Sequence, residues 1–194
     1  MGWLSEEFGS SHEGQAGAVL ADGTEPPPVV FDTGSGSSFH ESTDWWVYDG
    51  TLRRPLAAAV RGSCSCGWRG TAAYFLDWTQ VDTDSVYEPY LDLPGPKADW
   101  DQHIAEVEAR SVPMPAELSG LLQQVRERLD ALTDEAPLAA LRAVRILERT
   151  TKRVGREAAY RAEADDVSPE VLGQALGLTG SEARSHLVHF ALRH

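Results

Sequence analysis

Residues 44–70 have the sequence DWWVYDGTLRRPLAAAVRGSCSCGWRG, in which β-prone runs alternate with turn signals. Trp45–Tyr48 and Leu56–Arg61 are predicted strands, because each run is rich in β-branched, aromatic or small apolar residues. The Asp49-Gly50 pair between them favours a tight turn. The CSCG run that follows is predicted to form a knuckle-like turn. We therefore expect a small β-rich module over residues 44–110.

Helical periodicity dominates the chain after this stretch. We predict helices over residues 98–110, with Asp99 as N-cap, over 115–132 and over about 137–164. The fold class is thus α+β, with an all-α helical domain over residues 114–194. The second helix has one apolar face, which is predicted to form the domain core; a homodimer interface is the alternative. This face comprises Leu118, Leu121, Leu122, Val125, Leu129 and Leu132.

Residues 1–43 are rich in Gly, Ser, Glu and Pro and are predicted to be an irregular segment or linker, with at most short pairing at Ala18–Leu20 or Val29–Phe31. Within it, VVFDTGSGSS (29–38) resembles the active-site loop of aspartic proteases. Those enzymes need two carboxylates that share a proton. Asp32 has no second Asp-Thr/Ser-Gly partner in the sequence, so we favour the linker.

Charge is distributed unevenly along the 194 residues, whose net charge is −13. Residues 1–141 contain 8 basic and 23 acidic side chains, whereas residues 142–194 contain 9 and 7. This asymmetry predicts a basic surface attached to an acidic body. No run of eighteen apolar residues is present, and the two cysteines cannot build a disulfide framework. We expect a cytoplasmic protein that does not insert into a membrane.

Two thiols and a histidine form a candidate metal site. CSCGW (64–68), followed by Trp100 and His103 on a helix, resembles small zinc-binding modules of bacterial proteins. The resemblance implies a structural Zn²⁺ held by Cys64, Cys66 and His103. The fourth ligand would be His40, a carboxylate (Glu106 or Asp99) or water; alternatively, the cysteines are simply buried small residues. No HExxH motif accompanies them, so we do not expect an enzyme.

The third predicted helix has a basic stripe along one side. At 100° per residue its six cations fall within about 100° of arc, opposite an apolar side. The stripe could bind phosphates, could dock on the acidic half of the chain, or could be a solvated surface. Its members are Arg142, Arg145, Arg149, Lys152, Arg153 and Arg156.

The C-terminal sequence SPEVLGQALGLTGSEARSHLVHF (168–190) has the signals of two helices joined by a turn. Ser168 is a predicted N-cap, Gly177 is predicted to take the left-handed turn, and Thr179 and Glu182 are predicted to form a capping box. The segment resembles the helix-turn-helix of bacterial transcription regulators, here over residues 168–193. The resemblance implies that the second helix enters the major groove and reads bases through Ser181, Arg184 and Ser185.

Two functions are consistent with these patterns. The first is a bacterial transcription regulator that binds double-stranded DNA, with the basic stripe on phosphates and the second helix on bases. The alternative is an acidic adaptor that uses a degenerate helix-turn-helix to bind another protein, or that mimics DNA. The net charge of −13 favours the alternative.

Overall fold

The computed structural model describes residues 2–32, 39–81, 89 and 91–192, and it has an α+β fold. These residues divide into two compact units, Met1–Glu106 and Val107–His194. The first is built on antiparallel sheet and the second is helical. Of the FDTGS run, residues 33–35 and the glycine-serine residues after them lie outside the described residues.

In the described ranges of the N-terminal unit, six strands form two sheets. A four-stranded antiparallel sheet has the order β1-β2-β5-β6, and β3 and β4 form a separate pair. The strands are β1 (Trp3–Ser5), β2 (Gly9–Val19), β3 (Val29–Asp32), β4 (Phe39–Ser42), β5 (Ala59–Cys64) and β6 (Tyr74–Phe75).

The prediction that residues 1–43 are mostly irregular was wrong, because β1 to β4 lie there. The short pairing considered at Val29–Phe31 is confirmed, since β3 pairs with β4. The small residues of β2, which resemble a linker in composition, allow other side chains to pack closely against the strand. A Cβ atom at Gly14 would lie 2.5 Å from the indole of Trp100, so only glycine admits that ring against the strand. Tertiary packing therefore overrides the low strand propensity of this sequence.

The core of this unit lies between the sheet and the segment after β4. Trp45–Val47 was predicted to be a strand but forms a short 3₁₀-helix. This conformation buries both Trp45 and Val47 in the core, where Trp45 packs against Trp78. The tight turn predicted at Asp49-Gly50 lies further along the chain, at Leu52-Arg53, where the Arg54 amide donates to the Thr51 carbonyl at 2.8 Å. Asp49 instead pairs with Leu56. The core residues are Ala16, Ala18, Trp45, Val47, Tyr48, Ala57, Val60, Leu76 and Val81.

Helix α1 (Pro94–Arg110) begins four residues earlier than the predicted start at residue 98. Asp99 is therefore inside the helix and is not its N-cap. Its Oδ1 accepts a hydrogen bond from the Tyr74 hydroxyl at 3.0 Å, which raises the pKa of Tyr74. Trp100, His103 and Val107 are buried at spacings of three and four residues, which defines one inward face of α1.

The C-terminal unit contains α2 (Ala116–Glu135), α3 (Pro137–Ala164), α4 (Pro169–Leu176) and α5 (Gly180–Leu192). The apolar face of α2 was predicted to form the domain core, and this was wrong. Its residues Leu118, Leu121 and Leu122 are 46–52% exposed. None of the helices in the described ranges is long and apolar enough to cross a bilayer.

The two-helix motif at the C-terminus has the local structure that its sequence predicts. The Ser168 hydroxyl accepts the Val171 amide at 3.3 Å, and Gly177 adopts φ 64°. Thr179 and Glu182 form the reciprocal capping box: the Thr179 amide donates to Glu182 Oε2 at 2.9 Å, and the Glu182 amide donates to Thr179 Oγ1 at 3.3 Å.

Candidate metal centre

Four side chains from three elements converge in the N-terminal unit. His12, Cys64, Cys66 and His103 each offer one ligand atom, and all of these atoms lie within 4.8 Å of one another. His12, Cys64 and His103 are only 4–6% exposed, and Cys66 is half-buried. This group could hold a metal ion.

His12 is on β2, the strand that pairs with β5 and so stands beside the cysteines. The antiparallel register sets Gly14 opposite Cys64 and Gln15 opposite Ser63. His12 lies two residues along β2 from Gly14, while Cys66 lies in the turn beyond the end of β5. Along β2, residues 12, 14, 16 and 18 are buried in alternation, so His12 faces inward with the core alanines. Its Nδ1 lies 3.5 Å from Cys64 Sγ.

The two cysteines lie on the predicted knuckle-like turn, which is confirmed. The Gly67 amide donates to the Cys64 carbonyl at 3.0 Å, and Gly67 adopts φ 95°, a conformation that favours glycine. Ser65 ties the turn to β2: its amide donates to the Glu13 carbonyl at 2.8 Å, and its hydroxyl accepts the Glu13 amide at 2.9 Å. The Sγ atoms are thus held on the side of the turn that faces His12.

His103 reaches the cluster from the buried face of α1. Its Nε2 lies 3.4 Å from Cys66 Sγ. The Trp68 ring stacks on the imidazole at 4.5 Å between centroids, with an angle of 8° between the planes. Since Trp68 follows the knuckle directly, the CSCGW segment both supplies two thiols and orients the histidine that completes the set.

The other residues named as fourth-ligand candidates lie elsewhere. His40 is exposed on β4, opposite Phe31 in the register, and its ring packs near that phenylalanine. Asp99 bonds to Tyr74, and exposed Glu106 accepts a hydrogen bond from Gln102 at 3.3 Å. His12 therefore occupies the position for which the sequence suggested His40. A histidine inside a glycine- and serine-rich run gives no sign of such a role.

A metal ion at this cluster would compete with the proton on Cys66. Burial, together with the neighbouring Cys64 thiol, raises the pKa of Cys66 from 9.0 to about 11. A bound divalent ion would reverse that preference, since it stabilises the thiolate and displaces the proton.

The DNA-contact candidates are all in the C-terminal unit. The six basic residues of the stripe are exposed on α3, and Ser181, Arg184 and Ser185 are exposed on the first two turns of α5. α3 and α5 pack closely at Gly155, where a Cβ atom would lie 2.6 Å from the Phe190 ring. Ala159 and Ala183 are buried in the same unit.

No protein-family model matches this chain, and neither the curated proteins nor the solved structures contain a match to it.

Proposed function

We propose that this is a zinc protein, in which one Zn²⁺ bound by His12, Cys64, Cys66 and His103 holds the N-terminal unit together. The observation that carries the proposal is the spacing of the ligand atoms. With Zn–S of about 2.3 Å and Zn–N of about 2.05 Å, tetrahedral angles set sulfur and nitrogen roughly 3.6 Å apart. The two N···S distances here are 3.4 and 3.5 Å.

The donor set favours zinc over the harder cations. Two thiolates and two imidazoles are typical of tetrahedral zinc, whereas magnesium and calcium prefer oxygen ligands. Four protein ligands fill the tetrahedron and leave no position for a reactive water. The role that fits such a closed site is structural.

Zinc at this position would cross-link elements that are distant in sequence. His12 precedes Cys64 by 52 residues, and Cys66 precedes His103 by 37. Since the ion binds the folded unit and not the dispersed ligands, its binding free energy adds to the stability of the fold.

Native mass spectrometry of the purified full-length chain tests the proposal. One zinc per chain is expected, with a mass that shows loss of two thiol protons. The double variant Cys64→Ser/Cys66→Ser should carry none, and Ser63→Ala, which changes a neighbouring residue outside the ligand set, should keep one. A wild-type protein that remains metal-free after exposure to zinc would overturn the proposal.

A second function, DNA binding by the C-terminal unit, is favoured by a specific feature. The α4–α5 motif has the capped, left-handed-glycine turn of a helix-turn-helix, and it packs on a helix with six exposed basic residues. The stripe would contact phosphates, while Ser181, Arg184 and Ser185 would contact bases. Together with the zinc site, this describes a DNA-binding regulator with a zinc-stabilised N-terminal unit.

Fluorescence anisotropy of the full chain on mixed duplex, across a salt series, measures this second function. If the stripe binds phosphates, log affinity should fall linearly with log salt, at a slope of about −0.9 per phosphate contacted. Replacing Arg145, Arg149 and Arg153 by Gln should make the slope shallower by about 2 to 3. Arg161→Gln is the matched control, because this arginine lies on α3 outside the stripe and pairs with Glu157 at 2.8 Å.

Lack of duplex binding at low salt would contradict the DNA function and leave the zinc proposal intact. Co-purification of a protein in stoichiometric amount would then favour the acidic adaptor. Replacing Ser181, Arg184 and Ser185 of α5 by Ala separates base contacts from phosphate contacts. The replacement should weaken binding to a selected DNA site more than binding to mixed duplex.

A further inference from the structure

A cavity of about 380 Å³ lies in the N-terminal unit, and the four residues of the metal centre are not part of its lining. Three tryptophans line it: Trp3 from β1, and Trp45 and Trp46 from the 3₁₀-helix. The start of α1 and the residues just before it complete the wall. Ligand pockets have volumes of about 300–1,000 Å³, so the size of this cavity suits a small molecule and not a folded partner.

The three indoles give the cavity a preference for cations. The face of an aromatic ring is electrically negative, and tryptophan attracts a cation more strongly than tyrosine or phenylalanine does. Trp45 is buried, whereas Trp3 and Trp46 are only half-buried and so keep surface that a ligand in the cavity can contact. A cation in the cavity would therefore lie beside rings from two separate elements.

The charged residues of the lining favour the same sign of ligand. Asp92, Lys97 and Asp101 all line the cavity, which gives the lining a net charge of −1. Lys97 Nζ lies 2.8 and 2.7 Å from the two carboxylate oxygens of Asp101, so these two charges offset each other. Asp92 is exposed and forms an ion pair with none of the cations that the structure describes.

The surrounding unit strengthens this preference. Residues 1–106 contain 17 acidic and 5 basic side chains, a net charge of −12. A cleft within a body of one sign concentrates ligands of the opposite sign. An anionic ligand would therefore be repelled both by Asp92 and by the unit as a whole.

The chain's own ammonium group shows how a cation is held at this wall. Lys97 Nζ pairs with Asp101 and also lies 5.8 Å from the centre of the Trp100 ring. This single cation thus has a carboxylate and an indole as its partners. The cavity offers a ligand the same two kinds of partner, in Asp92 and the three lining tryptophans.

We propose that this cavity binds a small organic ammonium ion with alkyl groups on its nitrogen, of the quaternary ammonium class. Alkyl groups gain by leaving water for the apolar wall, while the positive charge remains within reach of the indoles. A bare metal cation is a poor alternative, because it requires several oxygen ligands that this lining does not provide. The inference depends on neither zinc nor DNA binding.

Proton NMR of the full-length chain with choline tests the proposal against a neutral molecule of the same shape, 3,3-dimethyl-1-butanol. The trimethyl signal of choline should move upfield, because the ring currents of the indoles shield protons that lie over their faces. Choline should bind at least about fivefold more tightly than the alcohol. Binding of the alcohol as tight as that of choline, or no binding of either, would overturn the proposal.

Two variants locate the site. Asp92→Asn should weaken choline binding by about two- to fivefold and leave binding of the alcohol unchanged. Glu41→Gln is the matched control, because it removes one charge of the same unit at an exposed position on β4 outside the lining. Trp3→Leu keeps the wall apolar but removes a ring, so it should weaken binding of choline more than that of the alcohol.

Choline binding that neither Asp92→Asn nor Trp3→Leu weakens would place the ligand elsewhere and overturn the proposal. A peptide with trimethyllysine presents the same cation as part of a protein. If such a peptide bound far more tightly than choline, the assignment to a small molecule would be overturned.

Discussion

Cys66 Sγ and His103 Nε2 lie 3.4 Å apart although 37 positions separate the two residues. A knuckle after β5 and the buried face of α1 meet at this contact, and the neighbouring His12–Cys64 contact joins β2 to the same point at 3.5 Å. Both distances suit tetrahedral zinc, so the centre links the three main elements of the N-terminal unit.

The identity of the fourth ligand gives a first prediction. His12→Ala should reduce zinc retention by at least tenfold, because it removes one imidazole from a four-ligand set; losses of 10–100-fold are seen even for residues that only support a ligand. His40→Ala should retain zinc as the wild type does, since His40 is exposed on β4. Competition with a chromogenic chelator measures both affinities. Equal retention by the two variants would exclude His12 as a ligand.

The raised pKa of Cys66 predicts how the metal-free protein responds to alkali. The folded-state pKa of about 11 exceeds the ordinary value of 9.0. The unfolded thiol thus ionises first, so the stability contributed by the neutral folded thiol is complete below pH 9 and is lost as pH rises toward 11. In urea unfolding of the zinc-free chain, the unfolding free energy should fall more steeply between pH 9 and pH 11 than it does for Cys66→Ser. Parallel pH dependences for the two proteins would contradict the prediction.

The backbone conformation of Gly67 gives a prediction for the stability of the knuckle. The residue has φ 95°, and the space that a Cβ atom would occupy is open, so Gly67→Ala introduces conformational strain without a steric clash. The expected cost is about 1–2 kcal/mol of unfolding free energy in the zinc-free chain. Gly70→Ala is a less suitable control, because its Cβ would meet Asp99 and Gly62. Gly120→Ala, with open space on helix α2, should instead be neutral or stabilising.

How far the sequence predicts this structure differs between the two units. Helix ends in the C-terminal unit follow from local chemistry: Ser168, Gly177 and the Thr179–Glu182 pair each act on neighbouring backbone, so short-range rules suffice. Cys64, Cys66 and His103 could be predicted as a cluster because CSCGW is a local signal. His12 could not be predicted as a ligand, because its position depends on how β2 pairs with β5. The strand β2 is itself hard to predict, since it contains small residues such as Gly14, which allow the Trp100 ring to approach closely.

The capping box of α5 gives a prediction for the stability of the α4–α5 motif. Thr179→Ala removes the hydroxyl that accepts the Glu182 amide, and it should lower the unfolding free energy by about 1 kcal/mol. Ser185→Ala, at an exposed position later in the same helix, should change stability by less than about 0.5 kcal/mol. Chemical unfolding followed by far-ultraviolet circular dichroism measures both. A Thr179→Ala protein as stable as Ser185→Ala would show that the box contributes little.

The central claim is that two sulfur and two nitrogen atoms of this chain surround one zinc ion. X-ray absorption spectroscopy at the zinc edge of the loaded full-length protein tests it most directly. We predict two sulfur neighbours at about 2.3 Å and two nitrogen neighbours at about 2.0–2.1 Å, with the outer-shell scattering of imidazole. A first shell of oxygen and nitrogen alone, or a single sulfur, would contradict the site built by His12, Cys64, Cys66 and His103.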